Sequence, residues 1–194
     1  MQLLRLLLAV AALASLAATG AAARRHPRPH VPNVYKVYVG AENNTQGVEV
    51  NAFFPLVVRV RVGDAVVFEQ NSREIHTVTF LAAGAPVPPL IVPVGSDLAI
   101  NPAIALPVGG NGPWDGTGMI NSGLMTTLGG LPTVWNVTFT RPGMYKYVCV
   151  VHAKAMIGYV QVVGGRAKVF PPNVVETLAQ LDMSVSLAVG NAGL

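Results

Sequence analysis

Four side chains in this sequence could together hold a soft metal ion: His76, Cys149, His152 and Met156. Three of them fall within one short run, CVVHAKAM, where Cys149 is followed after two residues by His152 and after three more by Met156. The run sits between two stretches of strand character, MYKYVC and MIGYVQVV. It therefore reads as one loop that presents a thiolate, an imidazole and a thioether. His76 adds a second imidazole from the start of a distant strand. Two histidine nitrogens and a cysteine sulfur form a trigonal set, and a weak axial methionine completes it. That set selects copper and lets it alternate between Cu(II) and Cu(I). Zinc would accept the cysteine and the histidines but has no use for a thioether.

Taken singly, each of these residues has an ordinary explanation. A free cysteine is commonly an inert buried thiol, and a methionine more often fills a core than binds a metal. His76 and His152 could be ordinary strand-end and loop histidines. Their coincidence argues otherwise. Beyond the first 32 residues the chain has two histidines and one cysteine, and all three fall in the pattern. A lone cysteine cannot form an internal disulfide. The ligand set leaves no obvious open position for a substrate, which points to a carrier and away from a catalyst.

The elements that must position these ligands are short strands. NVYKVYVG at 33–40 alternates and ends in glycine, and 47–52 is a second extended piece. In LVVRVRVGD, Val58, Val60 and Val62 point one way and Arg59 and Arg61 the other, as a half-buried strand requires. Gly63-Asp64 then predicts a hairpin turn, with Ala65 to Glu69 as the returning strand. Ile75 to Leu81 places His76, Val78 and Phe80 on one face. Residues 133–140, 144–149 and 156–163 supply three more strands. About seven strands of this kind predict an all-β sandwich.

Two segments stand outside that pattern. Residues 82–132 are rich in glycine and proline, carry few charges and show no sustained period. They read as an insert folded against the sandwich with one short strand or helix, from which Trp114, Met119 and Met125 help cover the core. In the tail, 166–194, Asn173 and Glu176 have capping-box spacing. Val174, Leu178, Leu181 and Val185 recur at helical spacing. The expectation is one amphipathic helix that packs this face on the sandwich.

The chain resembles the cupredoxins, the type 1 blue copper proteins of the plastocyanin, pseudoazurin and amicyanin group. The resemblance rests on Tyr147-x-Cys149-x-x-His152, on Met156-x-Gly158-x-Val160, and on the turn Pro142-Gly143-Met144-Tyr145. Upstream it rests on Phe54-Pro55, Val62-Gly63-Asp64 and His76-Thr77-Val78. It covers roughly residues 34–81 and 133–163. It implies a cupredoxin-like Greek-key β-sandwich over 33–165, interrupted by the 82–132 insert and followed by the C-terminal helix. It also implies a single type 1 copper ion held by His76, Cys149, His152 and Met156, and one-electron exchange with transient redox protein partners through the His152 edge. The chain departs from the group in three places. Its Cys-to-Met loop is one residue shorter than plastocyanin's and one longer than amicyanin's. Thr77 stands where many relatives have asparagine, and Val151 where many have proline.

Composition and charge agree with such a carrier. Apolar residues make up 52% of the 194 and charged residues 11%, which favours a packed core over disorder. Four of the 13 basic residues lie before position 29, so the remainder holds nine basic and nine acidic residues and is neutral. Nothing in that balance suggests a nucleic-acid groove, which needs a clustered basic face. Residues 1–23 have the anatomy of a cleaved secretory signal, with Leu6 to Ala18 as the apolar run and Ala21 and Ala23 at the cleavage spacing. Residues 24–32, RRHPRPHVP, read as an extended, solvated basic arm. The expected product is a secreted or periplasmic monomer with no membrane insertion after cleavage. Asn43 and Asn136 open glycosylation triplets. Storage or delivery of copper is the other function this ligand set would allow.

Overall fold

A computed structural model describes residues 30–152, 155–164 and 166–192. Residues 1–23, expected to be a signal segment, the arm up to residue 29 and Lys154 lie outside the described residues. Ten strands build two five-stranded sheets. The first runs β2 (Val48–Phe54), β1 (Val34–Asn43), β4 (Ala65–Gln70), β10 (Val134–Phe139), β8 (Gly112–Trp114). The second runs β3 (Val57–Arg61), β12 (Ile157–Val163), β11 (Gly143–Val148), β5 (Thr79–Phe80), β9 (Ile120–Asn121). Alternation drives both. Val58 and Val60 are fully buried while Val57 and Arg59 are exposed, and Trp135, Val137 and Phe139 are buried on one face of β10. The inward residues of the two sheets share one core, in which Phe68, Phe80, Trp135, Phe139 and Tyr147 pack as tilted and edge-on rings 5.0–6.4 Å apart. Offset and edge-on contacts suit the ring quadrupole. The expected sandwich with an insert and a C-terminal helix is what forms.

The connection at Gly63-Asp64 differs from the hairpin expected. β3 pairs in parallel with β12, whereas β4 pairs in parallel with β1 and antiparallel with β10. The turn therefore carries the chain from one sheet to the other, so the two valine faces meet across the core. The fully buried Asp64 carboxylate holds this corner together. It accepts from the Arg61 and Asn33 main-chain N–H groups, both at 2.7 Å, and meets His30 Nε2 at 2.6 Å. The end of the basic arm is thus tied down, contrary to the solvated tail expected, because a buried carboxylate needs partners.

The insert also holds more structure than one short element. It contains a separate ribbon of β6 (Ile91–Val94) and β7 (Asp97–Ile100), the helix α1 (Pro102–Ala105), and an edge strand for each main sheet, β8 and β9. Trp114 and Met125 join the core as expected, while Met119 stays partly exposed. Isolated bridges and edge strands of two or three residues have too little period to be read from sequence.

The C-terminal helix, α2 (Pro172–Ala192), lies on β1 and β2 with the opposite face from the one expected. Val175 and Ala179 are buried, with Met183 and Leu187 beside them, whereas Val174, Leu178, Leu181 and Val185 are exposed. Polar contacts select the docked face. Glu176 accepts from Tyr38 Oη at 2.8 Å and pairs with Lys36 at 3.1 Å, and Gln180 donates to Tyr38 Oη at 3.2 Å. Glu176 is thereby committed to β1 and not to a capping box. Asn173 sits inside the helix.

Glycine is required at one position of the ligand-bearing hairpin. Gly158 on β12 lies directly opposite the fully buried Tyr147 on β11, and a Cβ there would overlap the tyrosine ring. Gly158→Ala should lower stability by about 1–3 kcal/mol, the usual range for overpacking a core. Thermal or urea unfolding would detect this, and an unchanged midpoint would show that the ring has room to move.

Candidate metal centre

The loop between β11 and β12 is closed by its own main chain. Cys149 N–H donates to Met156 O at 3.1 Å, and Met156 N–H donates to His152 O at 3.0 Å. Three of the four residues singled out in sequence are thus held in one tight turn. His76 arrives from the segment before β5. Its main chain exchanges two hydrogen bonds with Met125, at 3.0 and 2.8 Å. The structure brings His76, Cys149 and His152 together, with one ligand atom from each lying within 4.8 Å of the others. Cys149 Sγ is 3.8 Å from His76 Nδ1 and 3.5 Å from His152 Nδ1. Thiolate and imidazole bonds of about 2.3 and about 2.0 Å at trigonal angles would set sulfur and nitrogen about 3.7 Å apart. The donor set and its spacing therefore fit a metal ion. Met156 is fully buried in the same core cluster as Cys149.

Thr77 joins the two ligand-bearing segments. Its main-chain N–H donates to Cys149 Sγ at 3.4 Å, and its hydroxyl oxygen accepts from Val150 N–H at 2.7 Å. Thr77 therefore bridges the two segments with its main-chain N–H and its hydroxyl. The outward nitrogen of His76 is oriented as well. Ser72 Oγ lies 3.1 Å from Nε2, and a Glu49 carboxylate oxygen 4.0 Å away. Gly40, at φ +71°, makes room for this contact. A Cβ there would fall 2.5 Å from Ser72 Oγ and 2.6 Å from His76 Nε2. Such partners fix the ring orientation and tautomer of a ligating histidine. Spacing along the sequence could not have found Ser72, Glu49 or Gly40, because they come from three different elements.

Burial sets the charge state of the centre. The Cys149 thiol is pushed above its ordinary range by desolvation, against hydrogen bonds from Thr77 and the loop amides. His76 is pushed down to about 4, first by burial and then by the neighbouring His152. Without metal both groups favour the neutral form. His152 differs in exposure. Its side chain is 20% accessible, and its Nε2 lies 4.0 Å from a Glu74 carboxylate oxygen. One histidine is sealed in and the other reaches the surface.

The fold is cupredoxin-like. That statement rests on the two-sheet sandwich and on the histidine-cysteine-histidine cluster at the end of the β11–β12 hairpin. Comparison with solved structures finds similarity to the oxidised form of plastocyanin from Dryopteris crassirhizoma, at 23% identity and a TM-score of 0.41, over 66% of this chain and 99% of that one. A Cu(I) form of an amicyanin mutant is similar at 18% identity and a TM-score of 0.40, over 70% of this chain and 87% of that one. No family model matches the chain, and no curated relative matches it.

The histidine environment has a consequence for the metal-free protein. An unfolded histidine titrates near about 6.5, well above the folded value of about 4 for His76. Between these values the unfolded chain binds a proton that the folded chain does not. Stability should therefore be intact above pH 6.5 and fall as the pH drops toward 4. Urea midpoints of the metal-free protein across this window would show the slope, and His76→Asn should flatten it. A wild-type midpoint that stays level would contradict the assignment.

Proposed function

We propose that this chain is a one-electron carrier that holds one type 1 copper ion through His76, Cys149, His152 and Met156. The observation that carries the reading is the buried histidine-cysteine-histidine cluster, whose ligand atoms lie within 4.8 Å of one another. When bound, copper would supply a reversible one-electron couple. The protein supplies the rest. The sandwich fixes the ligand positions, Thr77 ties the His76 segment to the Cys149 loop, and burial of Cys149 and His76 keeps water from the sulfur. Met156 is assigned the axial sulfur because it shares the ligand loop and is fully buried beside Cys149.

His152 is the exit for the electron in this reading. It is the partly accessible ligand, and Val150 and Val151 flank it, Val150 buried and Val151 partly so. A small apolar rim of this kind suits brief contacts with donor and acceptor proteins. The domain of residues 33–165 carries this centre, and the chain acts as a monomer in the periplasm or outside the cell, in keeping with the signal anatomy of residues 1–23. Among the described residues no helix is long and apolar enough to cross a membrane. The storage reading is less well supported, since exchange of the ion favours exposed ligands and both Cys149 and His76 are sealed.

The oxidised protein should be blue. A visible absorption spectrum with stoichiometric Cu(II) tests this, because a thiolate bound to Cu(II) gives an intense charge-transfer band. Cys149→Ser should abolish the band. A colourless wild type with one equivalent of copper would refute the reading, and a potentiometric titration in which copper leaves on reduction would favour storage.

The axial assignment makes a separate claim. Met156→Leu should keep the colour and raise the reduction potential by an amount on the order of 100 mV, about 2.3 kcal/mol for one electron. Met119→Leu should leave the potential nearly unchanged. Met125 is the sharper control, because its main chain pairs with His76 and its side chain is fully buried in the same core. A larger shift for Met125→Leu than for Met156→Leu would move the axial sulfur to the insert.

A further inference from the structure

α2 carries two apolar stripes, and the fold buries one of them. Val175 and Ala179 are buried, with Met183 and Leu187 beside them. The other stripe, Val174, Leu178, Leu181, Val185 and Val189, is between 36% and 67% exposed. Its spacing keeps it on one helical face, about 22 Å long at 1.5 Å per residue. Phe170, in the segment that leads into the helix, and Val57, on the edge strand β3, are exposed as well. A continuous apolar surface of this length marks a place where something binds.

Cations border this stripe. Arg59, Arg61, Lys168 and Phe170 line one hollow. Arg59 and Phe170 also line the next hollow, with Val57 and Leu178. Leu178 belongs to the stripe, so the cationic and apolar surfaces are continuous. None of the three cations pairs with a carboxylate among the described residues, and Arg61 donates its Nε–H to Ala167 O at 2.9 Å. The chain enters the fold at the same corner, where His30 and the Arg61 main chain share the Asp64 carboxylate. Arg24, Arg25 and Arg28 precede His30 in the sequence. On α2 itself, Glu176 is turned to Lys36 and Tyr38, which leaves Asp182 as its exposed acidic group.

We propose that this face adsorbs on an anionic lipid surface. The outer stripe of α2 and Phe170 enter the boundary between headgroups and acyl chains, and Arg59, Arg61 and Lys168 meet the lipid phosphates. An exposed apolar helix face and a nearby cluster of cations are the two signals that reversible interfacial binding uses. A second copy of this chain is the other natural occupant of an apolar helix stripe, and charge argues against it. From Met183 to Leu194 the chain has no acidic side chain. Antiparallel pairing would therefore offer the cations nothing, and parallel pairing would set them against one another. Adsorption leaves the candidate metal centre open, because α2 lies on β1 and β2 of the first sheet while His152 sits in a loop of the second. The inference does not rest on the copper-carrier reading.

Co-sedimentation of the secreted protein with vesicles tests this. Vesicles of equal parts phosphatidylcholine and phosphatidylglycerol should bind it roughly tenfold or more tightly than phosphatidylcholine alone at low salt, and added salt should release it. Arg59→Gln and Lys168→Gln should each weaken binding about fivefold, the equivalent of about 1 kcal/mol per charge at such a surface. Leu178→Ser combined with Leu181→Ser should weaken it by more than about tenfold. Both leucines are exposed, so the thermal midpoint of that variant should stay near the wild-type value. Absence of binding at low salt, or equal binding to neutral and anionic vesicles, would overturn the inference. Binding that survives the double leucine substitution would reduce it to charge alone and overturn the role of α2. A dimer in sedimentation equilibrium without lipid, dissolved by the same substitution, would assign the stripe to a second copy and sink the proposal.

Discussion

The centre depends on one short bridge. Thr77 donates its main-chain N–H to Cys149 Sγ and accepts the Val150 N–H on its hydroxyl, joining segments 72 and 73 residues apart in sequence. These bonds are buried, so neither donor has water as an alternative, and a lost partner would leave a group unsatisfied at a cost of about 1–3 kcal/mol. The bridge sets how close His76 comes to the cysteine loop. Every other feature of the site either supports this separation or acts through it.

The support is layered. Below the bridge, the aromatic core fills the space between the sheets, with Tyr147 two residues before the cysteine and packed against Phe53, Phe68 and Phe80. Beside it, Ser72 and Gly40 settle the outward nitrogen of His76. Behind it, α1 of the insert packs Ile104 against Val148 and Val150. His76 and Cys149 are thus held by residues that are themselves immobilised by packing. In the copper-carrier reading, such preorganisation would limit how far these side chains follow a change in metal charge.

Burial has an electrostatic consequence too. A desolvated thiol held above its ordinary range and a histidine held near pKa 4 leave Cys149 and His76 neutral in the metal-free protein. Binding of a metal must then displace the Cys149 proton, while His76 offers its lone pair with no proton to lose at neutral pH. His152 is partly open to solvent, so the centre has one face toward the surface. The insert carries the same logic outward, because Asn121 anchors β9 to three carbonyls around α1 and presents a pure acceptor to Thr79.

The sequence by itself determined the candidate ligand types, their spacing on one loop and the alternation that makes a sandwich, since these are local properties of residue chemistry and period. It also marked Thr77 as unusual. It could not decide how the strands pair. The turn at Gly63-Asp64 reads as a hairpin locally, and only the competition of β12 and β1 for the free edges sends β3 and β4 to different sheets. It misjudged α2 because two apolar stripes share that helix, and the choice was made by Tyr38 and Lys36 on β1 reaching Glu176 and Gln180. The roles of Ser72, Gly40, Met125 and Asn121 were invisible for the same reason. A hydrogen bond or a close approach between residues far apart in the chain has no period and no motif, and it exists only once the layers have packed.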